Sequence, residues 1–148
     1  MMGANVSVTG PNGGKINPDL FRYVLEAVDS FSTQLGINRF SYRLDVRLHE
    51  RSTFRNDTAE GYIDPHDKRT FSIDVCLYGN WVSTLAHEMV HLKQYLRNEI
   101  NWDLSVWKGK KCDFDEDYWN APWEKEARKL QHKMVEKFEK RWTKRNKL

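Results

Sequence analysis

The chain has 148 residues, of which 39% are hydrophobic and 30% charged, with a formal net charge of +3. That length suits one domain with a real core, and an aromatic share of 13% with six Trp argues against disorder. No apolar run approaches the roughly 18–20 residues that cross a bilayer.

The N-terminus, MMGANVSVTGPNGG, has neither a basic n-region nor an apolar h-region, so no signal peptide is expected and the cytoplasm is the expected location. Residues 1–16 read as a flexible arm with a short strand at VSVT, and 17–148 as a single domain. The first helix is predicted over NPDLFRYVLEAVDSFSTQLG, with Asn17 as N-cap, Pro18 at the first helical position and Gly36 as the stop. Phe21, Val24, Leu25, Val28, Phe31 and Leu35 recur at helical spacing and form its packing face.

Strand periodicity follows. SYRLDVRLHE alternates, with Tyr42, Leu44, Val46 and Leu48 on one side. AEGYIDP reads as a short strand ending at Pro65, DPHDKR as a turn, and TFSIDVCLYG as a strand with Phe71, Ile73, Val75 and Leu77 on one face. Hairpin pairing of the last two predicts a small, mostly antiparallel sheet. Cys76 and Cys112 belong to no CxxC or CxxH pair and are expected as free thiols.

NWVSTLAHEMVHLKQYLRNEI reads as a helix behind Asn80. The next segment is irregular, with a hairpin turning at KGKK. A long helix closes the chain, with Trp123, Ala127, Leu130, Met134, Phe138 and Trp142 three or four apart. From Ala121 onward there are 10 Lys+Arg against 4 Asp+Glu, leaving 14 against 17 in the rest. A basic last helix is compatible with nucleic acid as a partner, or with a plain solvated face.

The chemistry concentrates in TLAHEMVHLKQY, Thr84–Tyr95. A helix turns about 100° per residue. Val82, Leu85, Met89, Leu92 and Leu96 then share one face, while His87, His91, Thr84, Gln94 and Asn98 lie nearly opposite. The i, i+4 spacing stacks two imidazoles within reach of one ion at about 2.0–2.1 Å. Glu88, next round the wheel, cannot easily share that ion but can reach a water beside it. This is the H-E-x-x-H pattern, with Glu88 in the place of a general base.

A catalytic zinc takes three protein ligands. His132 lies opposite its helix's apolar stripe and is expected in solvent; His49 closes a strand and His66 sits in a turn. Glu124 and Glu126 flank the apolar stripe of the last helix on either side, and periodicity does not choose between them. Acidic residues also suit a helix N-terminus without any metal.

TLAHEMVHLKQY, W-x-G at Trp107–Gly109 and YWNAPWEKEA at 118–127 resemble the small SprT-like and gluzincin-type metallopeptidases of phages and bacteria. The resemblance covers roughly Trp81 to Leu130 and implies a zincin-like α+β fold: an N-terminal helix, a small sheet, a metal-binding helix and a C-terminal glutamate-bearing helix. SprT-like proteases take a third histidine from a later GHG-like segment, which this chain lacks. Gluzincins take a glutamate from E-x-x-A, which Glu124 and Ala127 match, although Arg128 stands where many of those families carry Asp or Asn. The resemblance therefore implies zinc on His87, His91 and Glu124, Glu88 as catalytic base, and a protein or peptide substrate; a phage-encoded member would act in the host cytoplasm. It also implies that the strand before the metal helix, TFSIDVCLYG, lies at the cleft edge and pairs with extended peptide. Tyr118 and Tyr62 are candidate oxyanion donors, and equally packing aromatics. Two other readings stand beside this one: a non-catalytic protein that zinc only braces, and a nucleic-acid-binding module built on the basic last helix.

Overall fold

The computed structural model describes residues 4–50, 60–101, 105–111 and 120–145. Helix α1 (Pro18–Gln34) starts where the sequence indicates. The Asn17 side chain accepts the Asp19 amide at 2.7 Å, and Pro18 fills the first turn. Gly36 follows the helix at φ +72°, a conformation that costs glycine least. Helix α2 (Trp81–Leu96) begins after Asn80, but the Asn80 side chain makes no capping bond. Helix α3 runs Pro122–Arg145.

Strands β1 (Ala4–Thr9), β2 (Tyr42–His49), β3 (Gly61–Asp67) and β4 (Thr70–Cys76) form one sheet in the order β1-β2-β4-β3. β1 pairs parallel with β2 and β2 parallel with β4; only β3 and β4 are antiparallel. The expectation of a mostly antiparallel sheet is therefore corrected to a mixed one. Helix α1 carries the chain from β1 across to β2, and a long crossover of that kind leaves the two strands parallel. The strand expected at VSVT forms, as part of edge strand β1. The β3–β4 hairpin forms as expected, with a bulge between Pro65 and Asp67.

A second correction concerns the edge. TFSIDVCLYG forms β4, which is held on both sides by β2 and β3 and offers no free backbone edge. Among the described residues the sheet's edges are β1 and β3, and β3 is the one on the β4 side, because the hairpin folds β4 inward against β2. A short hairpin, β5 (Val106–Trp107) and β6 (Lys110–Lys111), turns at Lys108 and Gly109, both at positive φ.

The inward-facing Leu44, Val46, Leu48 and Ile73 are fully buried, with Phe71 and Val75, against Phe31 of α1 and Leu85, Met89 and Leu92 of α2. Each such side chain contributes about 1.5–3 kcal/mol relative to exposure. Helix α2 is the centre of the fold. The sheet covers its apolar face, and α3 covers much of the polar one, so Glu88, His91 and Gln94 are buried too. Met134, Val135 and Phe138 of α3 join the same core. No helix among the described residues is long and apolar enough to cross a membrane.

Candidate metal centre

Packing α3 across the polar face of α2 brings Glu124 onto the histidine pair. His87 Nε2 and His91 Nε2 lie 3.0 and 3.1 Å from the same atom, Glu124 Oε1. One ligand atom from each residue lies within 4.8 Å of the other two. A tetrahedral ion about 2.0–2.1 Å from each ligand would space them about 3.3 Å apart, close to the two separations from Glu124 Oε1. The second carboxylate oxygen, Glu124 Oε2, is buried without a hydrogen-bond partner among the described residues. Such an oxygen is costly unless something electropositive faces it.

Both imidazoles are turned by amide side chains. His91 Nδ1 lies 2.8 Å from Gln94 Oε1, and His87 Nδ1 lies 2.6 Å from Gln131 Oε1. The Gln94 orientation is fixed, because its Nε2 donates to the Trp123 carbonyl and to Glu126 Oε1, each at 3.0 Å. Gln94 Oε1 must therefore accept, Nδ1 of His91 must carry a proton, and Nε2 is left facing Glu124. That is the tautomer a metal ligand needs. Two nitrogens and a carboxylate oxygen are a borderline-soft donor set that suits zinc, and the residues present fit it.

Electrostatics agree with the geometry. Burial alone would lower the pKa of His91, but the hydrogen bond to Glu124 and the charge of Glu88 outweigh it and raise it to about 9. His87 moves upward by the same balance, with burial opposing and Glu124 prevailing. Burial would raise Glu124, yet the two imidazole contacts hold it down at about 2. Without an ion both rings are biased toward their protonated forms and Glu124 toward its carboxylate. Burial raises Glu88, with both imidazoles pulling the other way. A base tuned upward in this manner holds a proton better near neutrality.

Glu126, the other candidate ligand, points elsewhere. It accepts from Lys93 Nζ at 2.7 Å as well as from Gln94, and Lys93 also pairs with Glu99 at 2.7 Å. His49 is tied to Asp74 at 2.7 Å and His66 to Ser72 at 2.9 Å, both on the sheet face turned from α2. Tyr62 is registered opposite Asp74 on that same face, away from the imidazoles. Tyr118, Trp102, Trp119 and Cys112 lie outside the described residues; Cys76 is buried and free. His132 is exposed, as expected, but lines a cleft of about 490 Å³ beside His87 and Glu88, with Gly61, Thr84 and Arg128.

Sequence reasoning missed the two glutamines as orienting groups. Gln94 was placed on the imidazole face, and Gln131 stands seven residues after Glu124, two turns along the same side of α3; those spacings were the available signal. No family model, curated protein or solved structure matches this chain.

Proposed function

We propose that the chain is a zinc-dependent peptidase, with the ion held by His87, His91 and Glu124 and with Glu88 as general base. The observation that carries this reading is the convergence of both imidazole Nε2 atoms on Glu124 Oε1 beside a buried, upward-shifted Glu88. The resemblance to SprT-like and gluzincin-type metallopeptidases points the same way. An ion in that position supplies Lewis acidity, acidifying a water and polarising a carbonyl. The chain's own groups do the rest. Glu88 takes a proton from the attacking water and returns it to the leaving amine. Gln94 and Gln131 keep both rings turned toward the centre.

Substrate enters along β3. Gly61 sits against α2, where a Cβ would meet Thr84 Cγ2 at 2.5 Å and the Asp74 carbonyl oxygen at 3.0 Å, with Glu88 Cγ next at 3.7 Å. The free edge of β3 thus starts beside the base. An extended peptide adding to that edge would run past Glu88, with Arg128 and His132 on the opposite wall.

The test is Glu88→Gln in purified protein loaded with zinc. Hydrolysis of an unstructured protein such as casein should fall by about 10²–10⁴-fold with metal content unchanged. Undiminished hydrolysis would refute the role of Glu88. Loss of metal and of fold together in that variant would favour the reading in which the ion only braces α2 against α3.

A further inference from the structure

One sizeable cavity is remote from the imidazoles. It measures about 1050 Å³ and opens where β1, β2 and β4 begin, lined by Arg39, Phe40, Arg43 and Arg69 among others, with no carboxylate in its described wall. The three arginines are exposed and make no ion pair among the described residues. Arg39 comes from the turn before β2, Arg43 from the start of β2 and Arg69 from the β3–β4 turn, the last two tied together by the Arg43 amide bonding the Arg69 carbonyl at 2.7 Å. Arg97, after α2, joins them: the Arg69 and Arg97 guanidiniums stand 5.4 and 5.5 Å from the Phe40 ring centroid. The nearest acids in sequence are engaged otherwise. Asp67 accepts the Arg69 amide, Asp45 accepts the Ser7 hydroxyl, and Glu99 pairs with Lys93.

Arg69 also lines a second cavity of about 300 Å³, whose wall includes Phe71, Tyr95, Ile100 and Val106 with the amides Asn98 and Asn101. An arginine cluster thus adjoins an aromatic and aliphatic slot edged by amides. Guanidinium forks match phosphate oxygens, and flat rings stack on such walls.

We propose that this pole binds a nucleotide unit: the phosphates lie on Arg39, Arg43 and Arg69, and the base enters the slot between Tyr95 and Val106. The unit is either a free nucleotide or part of a single strand. The basic last helix is the weaker host, because its cations are partly neutralised: Lys140 pairs with Glu136 and Arg145 with Glu26.

The experiment is fluorescence anisotropy of the full chain with labelled oligothymidylate from about 50 to about 200 mM salt, with ATP, inorganic tripolyphosphate and polyglutamate as competitors. The wild type should bind, and either ATP or unlabelled oligothymidylate should displace the probe better than tripolyphosphate does. Arg39→Glu with Arg43→Glu should weaken binding by roughly tenfold or more and lower the salt slope by about one per arginine. Arg39→Glu alone, on an exposed turn, serves if the double variant does not fold. Lys133→Glu with Lys137→Glu on α3 should change nothing. ATP binding directly with the same arginine dependence assigns a free nucleotide; displacement only by unlabelled oligomer assigns a strand. No binding at the lowest salt, displacement by tripolyphosphate or polyglutamate as strong as by the better of ATP and unlabelled oligothymidylate, or loss confined to the α3 variant would each overturn the proposal.

Discussion

Gln94 holds His91 from one turn further along the same helix, its Oε1 2.8 Å from Nδ1 of the ring. The glutamine is itself anchored by the Trp123 carbonyl and by Glu126 on α3. The tautomer of His91 is thereby set by the docking of two helices. Gln94→Leu removes that lock and leaves a buried Nδ1–H unmatched. Zinc affinity should fall by about 10–100-fold, read by competition with a chromophoric chelator. Gln94→Glu keeps an acceptor on Nδ1 but sets its second oxygen against the Trp123 carbonyl and Glu126 Oε1, so it should not restore the wild-type affinity.

The metal-free protein should lose stability as the solution becomes alkaline. His91 is raised in the fold to about 9 from an ordinary value near 6.5, by Glu124 and Glu88 acting against burial. A raised folded pKa contributes stability that is fully present below the unfolded value and is lost as pH climbs through the folded one. Urea midpoints of the metal-free protein should therefore drop between about pH 6.5 and 9 by an amount that His91→Gln abolishes. Glu124 works in the opposite sense. Its value of about 2 means its contribution is present above the ordinary carboxylate range and is lost as pH falls toward 2. Zinc must displace the imidazole proton, so its affinity should rise about tenfold per pH unit for each proton released across the same alkaline window.

Glu124 and Glu126 should separate cleanly. Glu124→Gln removes the charged oxygen that both imidazoles face and should abolish tight zinc binding. Glu126→Ala leaves the three ligand atoms in place. Its cost is to Gln94 Nε2 and Lys93, which each lose an acceptor, and unfolding should show a destabilisation of about 1–3 kcal/mol. Equal loss of metal in both variants would contradict the assignment.

Gly61→Ala tests how closely β3 lies on α2. The added Cβ meets Thr84 Cγ2 at 2.5 Å and the Asp74 carbonyl at 3.0 Å, so the Thr84 side chain, the strand or the helix must give. A destabilisation of about 1–3 kcal/mol is expected by thermal melting, with zinc affinity little changed. Hydrolysis should fall more than metal binding does, since the cleft edge moves while the ligands stay.

The histidine pair was legible because both residues sit on one helix, where i, i+4 spacing alone fixes their separation. The faces of α1 and β2 were legible for the same reason: Val24, Phe31, Leu44 and Val46 follow their own periods and are buried as those periods require. The choice of Glu124 over Glu126 was not legible in periodicity, and came only from the match of Glu124 and Ala127 to the E-x-x-A pattern. The two lie on opposite flanks of the α3 stripe, and only the docking of α3 on α2 shows which one meets the imidazoles. Strand order was hidden as well. Nothing in TFSIDVCLYG shows that β4 inserts between β2 and β3, or that Ala4–Thr9 pairs parallel with Tyr42–Arg47. Those pairings depend on residues far apart in the chain, where local pattern carries no signal.

The most direct measurement is zinc stoichiometry by elemental analysis of purified protein, wild type beside His91→Ala and Glu124→Ala, each checked for retained fold. One zinc per wild-type chain, falling to background in both folded variants, is the predicted result. Wild-type protein that takes up no zinc, or folded variants that hold as much as wild type, would contradict the account.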